Sequence, residues 1–367
     1  MRKICARVLP RFVFAALLAV GFASTTQADQ YGLEAGSVKL QSANVIAFGP
    51  AGILFVGDSK AARVVAIQTG DKPGDASKVQ HSLENIEGKI ASQLEVDKAT
   101  VLDMAVNPLS GHLFVSVDTS KGPQVVMLDG SGAIVALQLN DIHHANLDLP
   151  NPPADEVVGE GRRARNHRMS TVTDLAFVDG QLLVSGMSAG PVSAVRSFMF
   201  PFNGKAEESG LEIYHGAHGQ LESLAPIRTF VPFIIDGKPN VLAGFVCTPL
   251  VKFPVSAISE NEKFRGTTIA ELGNRNQPLD MIAYTKDGKD YLLLANSARG
   301  IMKISTEDID KAEGIDSPVR GGGVAGQSYE TIESWQNVVQ LDRLNDKQAV
   351  VLVSADGQST LKTMNLP

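Results

Sequence analysis

Short apolar runs and turn residues alternate along almost the whole chain. The pattern is clearest over residues 279–305, LDMIAYTKDGKDYLLLANSARGIMKIS. An apolar run follows Asp280, a tight turn falls at KDGK, a second run is YLLLANS, and a third follows the polar turn ARG. Two apolar runs joined by Asp-Gly are the strongest short-range signature of a β-hairpin, since both turn residues must accept positive φ. The unit recurs. Asp280 stands eight residues before Gly288, Asp103 eight before Gly111, Asn44 eight before Gly52 and Thr229 eight before Gly237. Asp174 opens a copy with a turn two residues shorter, and Asn337 opens a looser sixth. Six strand–turn–strand units, roughly 50–70 residues apart, predict a radial array rather than a layered α/β fold. The expected architecture is all-β, a six-bladed β-propeller.

The segments between units refine this expectation. Residues 31–40 read as an extended strand ahead of the first unit, whereas the last unit stops one strand short at 360–366. The N-terminal strand is therefore expected to close the last blade, leaving no open sheet edge at the seam. A strand near 79–83 is assigned to blade one. Ile86, Ile90 and Leu94 recur every four residues and predict a short helix over 84–96, on the connector into blade two. The connector 140–170 is long, polar and Pro-rich, and loops of that length in a compact domain are usually functional or disordered.

Composition changes the picture at the N-terminus. Arg2, Lys3, Arg7 and Arg11 form a basic region, 12–23 an apolar one, and Thr26-Gln27-Ala28 a small-residue cleavage site. Residues 1–28 thus read as a secretory signal peptide, followed by one propeller domain over 29–367, exported to the periplasm or the extracellular space. No later stretch is long enough for a membrane span. Loss of those four cations takes the formal net charge from −7 to about −11. Such an acidic body argues against nucleic acid or anionic membrane as partner. Cys247 is then the only cysteine, expected to sit as a small buried hydrophobe in an apolar strand.

In a propeller the residue opening each inner strand sits at the mouth of the central channel. Here these are Asn44, Asp103, Asp174, Thr229, Asp280 and Asn337. Oxygen ligands of this kind suit a hard divalent cation such as Ca2+, and three carboxylates on one axis would repel without one. The same side chains also serve as simple caps on strand ends, through local backbone hydrogen bonds. Units of the form NVIAFGPAGILFVGDS resemble the blades of NHL-repeat and gluconolactonase-like (senescence marker protein) propellers. The resemblance implies a catalytic metal held at the tops of inner strands, by Asp280 and Asp103 and less directly by Asn44 and Asp174. Where that family has glycine after its proline-proximal Asn or Asp, this chain reads Pro278-Leu279-Asp280-Met281.

A second cluster is the glycine-flanked run His215-Gly216-Ala217-His218-Gly219-Gln220-Leu221-Glu222. Two histidines and a glutamate at this spacing suit zinc or copper, or acid–base work. His143, His144, His167, Arg168, Arg228, Arg275 and Arg299, together with Arg162, Arg163 and Arg165, are expected to converge on the same face, where guanidinium groups would pair an anionic ligand. The GxSxG match at 186–190 joins two strands rather than a strand and a helix, which excludes a nucleophile elbow. The Gly-rich stretch 320–326 lacks GK[ST] and reads as a plain loop. Three functions follow: a top-face pocket for a small polar or anionic ligand with or without a cation, a metal-dependent hydrolase of lactonase or esterase type, or a scaffold for a protein partner.

Overall fold

The computed structural model describes residues 30–367 apart from 162, 163, 191, 248, 260 and 261. The proposed signal segment 1–28, Arg162 and Arg163 therefore lie outside the described residues. The hairpins form where the Asp-Gly pairs are. Asp179-Gly180, Asp236-Gly237, Asp287-Gly288 and Asp356-Gly357 all take positive φ at both positions, the conformation that matches the right-handed twist of the flanking strands. Six sheets result. Their inner strands are Val45–Phe48, Ala99–Val106, Asp174–Val178, Thr229–Ile235, Pro278–Lys286 and Val338–Arg343, each paired antiparallel with the next strand of its blade. The fold is a six-bladed β-propeller.

The blades do not follow one another around the ring in chain order. The inner strand of blade one packs beside those of blades two and three, and blade six packs beside blades five and two. The circuit is therefore one, three, four, five, six, two. Six shared cores confirm it. Phe114 of blade two packs with Val56 and Ile67 of blade one, Val115 with Val350 and Leu352 of blade six, and Phe55 of blade one with Val184 and Phe198 of blade three. The remaining cores join three to four, four to five and five to six. Each fully buried Phe, Leu or Val at these seams contributes about 1.5–3 kcal/mol, so the transposition is fixed by packing rather than by chain continuity.

This arrangement corrects three expectations. The last blade is closed by Ser82–Leu83, which pairs with Gln358–Asn365 through Leu83↔Leu361. The N-terminal strand Glu34–Gly36 instead adds to the outside of blade one. The reason is positional: the chain leaving blade one reaches past blade two to the edge of blade six. It returns through the helix Ile86–Gln93, whose Ile86 and Ile90 fill the core between blades two and six. The long connector after blade two is accounted for in the same way. It crosses back over blade one and donates that blade's fourth strand, Ile142–Asp148. Cys247 also differs from expectation. Its strand ends at Gly244, and Cys247 sits half-buried in a turn at φ 62, its N–H held by the Asn276 carbonyl at 2.9 Å.

Candidate functional site

The channel mouth is built by irregularities in the inner strands. Register shifts at Val101/Asp103, Pro278/Asp280 and Val338/Gln340 place Asp103, Asp280 and Gln340 at equivalent positions, the usual way a bulge re-aims a side chain. Gln340, not Asn337, therefore takes the sixth position. With Asn44, Asp174, Thr229 and Arg228 these side chains line an upper cavity of about 240 Å³. A lower funnel of about 430 Å³ opens on the opposite face, and Asp103, Asp174 and Asp280 border both. These three carboxylates form the waist of the channel.

At the waist they act as latches between blades. Asp103 accepts its own Met104 N–H at 2.8 Å and Ile46 N–H of blade one at 2.7 Å. Asp174 accepts Leu175 and, from blade four, Phe230. Asp280 accepts Met281 and, from blade six, Leu341. Asp342, lower in the funnel, accepts Arg343 and, from blade two, Val106. All four reach in the same rotational sense around the ring. Burial pushes Asp174 up to about 7 and Asp342 up to about 6. It also raises Asp103 and Asp280 well above the ordinary carboxylate value, opposed by their backbone donors and reinforced by the neighbouring carboxylates. The waist is thus a ring of desolvated acids whose oxygens already face N–H groups. Among the described residues these acids do not form a group of three with ligand atoms within 4.8 Å of one another.

The group that does meet that distance is His215, His218 and Glu222. The strand Glu207–His215 carries His215 to the upper face, where its imidazole is 2 % exposed. Glu222 bridges the pair, Oε2 to His215 Nδ1 at 2.9 Å and Oε1 to His218 Nδ1 at 2.6 Å, with the two rings 3.9 Å apart. Burial lowers the His215 pKa. Burial alone would raise Glu222, but hydrogen bonds from His215, His218 and Gln220 outweigh it and hold the carboxylate low. His215 Nε2 is buried without a partner. Beneath the loop lies Glu271, fully buried, accepting Gly216 N–H at 2.5 Å through Oε1 while Oε2 has no partner. Burial pushes Glu271 up to about 7. Glycine at 216 permits this close packing, since a Cβ there would approach Glu271 and Val319 to 3.0 Å and those side chains would have to shift.

This cluster is not at the channel mouth. His218 opens into a rim cavity of about 700 Å³ between blades three and four, shared with Arg275, Arg320 and the glycines after it. The stretch read as a plain loop is therefore a wall of that cavity. Arg299 supports another wall, donating to the Asn274 carbonyl at 3.2 Å.

The remaining candidates scatter. Arg228 reaches the channel mouth. Arg168 is spent on the carbonyls of Lys60 and Pro153, with His167 at the start of its turn. Arg165 lies in the exposed strand Arg165–Asn166. His143 and His144 sit on the strand Ile142–Asp148 at the lower, outer edge of blade one, because that strand belongs to blade one and begins at the lower face. Ser188 of the GxSxG match donates to Asn151 O and Glu208. Two features escaped the sequence reading. Asp342 is signalled only by alternation with Gln340 along one strand. Asp71 and His112, joined at 2.8 Å, are too distant in sequence for any spacing rule.

No family model matches the chain, and no curated protein does. Several solved structures match it at low identity. One is the PQQ-bound aldose sugar dehydrogenase of Streptomyces coelicolor, at 11% identity over 90% of this chain and 97% of the other, TM-score 0.33. Another is a Thermus thermophilus oxidoreductase described as a glucose dehydrogenase, at 13% over 91% and 100%, TM-score 0.35. A third is the Bacteroides ovatus xyloglucan PUL GH43B, at 11% over 81% and 54%, TM-score 0.34. Likeness at this level carries no argument. Among the described residues no helix is long and apolar enough to cross a membrane.

Proposed function

We propose that this is an exported ligand-binding propeller whose working site is the upper rim between blades three and four. There a transition-metal ion of the zinc class, held by His215, His218 and Glu222, captures a small anionic molecule with help from Arg275 and Arg320. The observation that carries the reading is the gathering of two imidazoles and a carboxylate within 4.8 Å of one another. Three protein ligands leave a coordination position for a bound molecule. Imidazole donors favour zinc or copper over calcium, so the reading moves the cation from the channel ring to the rim. The carboxylate oxygens of Asp103, Asp174 and Asp280 are already committed to backbone N–H groups, whereas Asn44 Oδ1 and Gln340 Oε1 beside them are buried without partners.

Metal content of protein purified without chelator tests this. About one equivalent of zinc or copper is expected in the wild type and in Asp103→Ala/Asp280→Ala, and none in His215→Ala/His218→Ala. Stoichiometric calcium that disappears only in the aspartate variant would overturn the assignment. The metal-dependent hydrolase stays as a second reading because Glu271 keeps a buried, unpartnered oxygen directly beneath the loop, where a carboxylate could activate water. Turnover of a simple ester or lactone, lost in Glu271→Gln with metal retained, would select it over pure binding.

A further inference from the structure

The transposed blade order creates a cavity with no counterpart in the sequence reading. Where the chain leaves blade two and crosses to the outer edge of blade one, residues 137–143 wall a space of about 680 Å³ on the lower face. Its size lies within the range of small-molecule pockets, about 300–1,000 Å³. The walls are largely apolar, and Phe114, Met127, Val135 and Leu137 contribute to them. Val135 is 51 % exposed, an aliphatic side chain left facing solvent in a concave place.

At the polar end stands His112, and its orientation is fixed through Asp71. That carboxylate, with its side chain 5 % exposed, accepts Asn107 Nδ2 at 2.7 Å and Ser110 Oγ at 2.6 Å on one oxygen, and His112 Nδ1 at 2.8 Å on the other. Ser110 Oγ in turn accepts the His112 backbone N–H at 3.0 Å. The two acceptors of Asp71 thus meet three donors, and His112 must carry its proton on Nδ1 to be one of them. Closing the 107–112 turn needs only Asn107 and Ser110. The imidazole adds nothing to that turn, yet it is held in one tautomer with Nε2 free of any hydrogen bond among the described residues. This is how a carboxylate prepares an imidazole to meet a ligand. Lys72 and His143 border the same cavity and bring groups that carry or can take positive charge, beside one exposed carboxylate, Asp141, while Asp71 is already occupied.

We propose that this lower-face cavity is a second binding site, independent of the rim, for a small amphipathic monocarboxylate. The aliphatic body lies along Phe114, Met127 and Val135, and the carboxylate meets His112 Nε2 and Lys72. Isothermal titration of the full-length processed protein with octanoate tests it. Octanoate should bind with saturable heat, 1-octanol about ten-fold or more weaker for want of the charged head, and acetate not measurably. His112→Gln can still donate to Asp71 but offers no imidazole, and should weaken octanoate by about ten-fold. Val135→Glu, at an exposed position that should not disturb folding, should abolish binding. Binding should be unchanged in His215→Ala/His218→Ala, which separates this site from the rim. Absence of octanoate binding overturns the proposal. Binding that is equal in wild type, His112→Gln and Val135→Glu also overturns it, because the ligand then sits elsewhere.

Discussion

The side chains at the channel waist act as joints in the fold, Asp103, Asp174 and Asp280 each accepting a backbone N–H from a neighbouring blade. Asp174 titrates near 7 in the folded protein and near the ordinary carboxylate value of about 3.9 when unfolded. Between those values the folded chain binds the extra proton, so this group's contribution is full below about pH 4 and is lost as pH rises through 7. Asp174→Asn removes the charge that burial disfavours. Its stability relative to wild type should therefore rise between pH 5 and pH 8, as read from urea midpoints, and parallel curves would refute this account. Arg196 is the opposite case, a wholly buried cation paired with Glu208 at 2.5 Å and donating to the carbonyls of Thr171, Met187 and Pro150. Arg196→Met leaves that carboxylate and three carbonyls short of donors. It should cost about 3 kcal/mol in chemical denaturation, and a loss below about 1 kcal/mol would show the pair to be dispensable.

Among the elements, the hairpins were the most legible part of the chain, because an Asp-Gly turn is a local property of two residues. Gly288 has φ +75 with open space around its missing Cβ, so only backbone conformation opposes a side chain there. Gly288→Ala should destabilise by about 1 kcal/mol, whereas Gly204→Ala, at ordinary φ and equally open, should be neutral or slightly stabilising. Equal thermal midpoints for the two variants would sink the distinction. The helix Ile86–Gln93 was legible for the same local reason, through its four-residue apolar spacing. The bulges at Asp103, Asp280 and Gln340 were not legible. A bulge is set by the pairing of two strands, and Gln340 could be aligned with the two aspartates only once that pairing was known.

On the scale of the whole molecule, the exchange of blades one and two decides what lies near what. It makes the strand Ser82–Leu83 the closing edge of blade six, and it places His143 and His144 away from the upper face. The pairing Ser82↔Lys362 gives a direct check. In a Cys247→Ser background, Ser82→Cys/Lys362→Cys should form an intramolecular disulfide under mild oxidation, while Ala35→Cys/Lys362→Cys should not. A crosslink in the second pair and none in the first would restore closure by the N-terminal strand.

The sequence by itself determined the strands, the turns, the number of blades and the polar character of the channel, all of which rest on local chemistry and a period read along one chain. It also brought His215, His218 and Glu222 together on paper, since they lie within one short loop. Only the tertiary structure decided the circuit of the blades, the use of the aspartates as latches and the separation of the His cluster from the channel. It alone formed the Asp71–His112 pair. Apolar side chains drive blades together without regard to their order in the chain, so six cores of similar composition carry no signal of which neighbours they join.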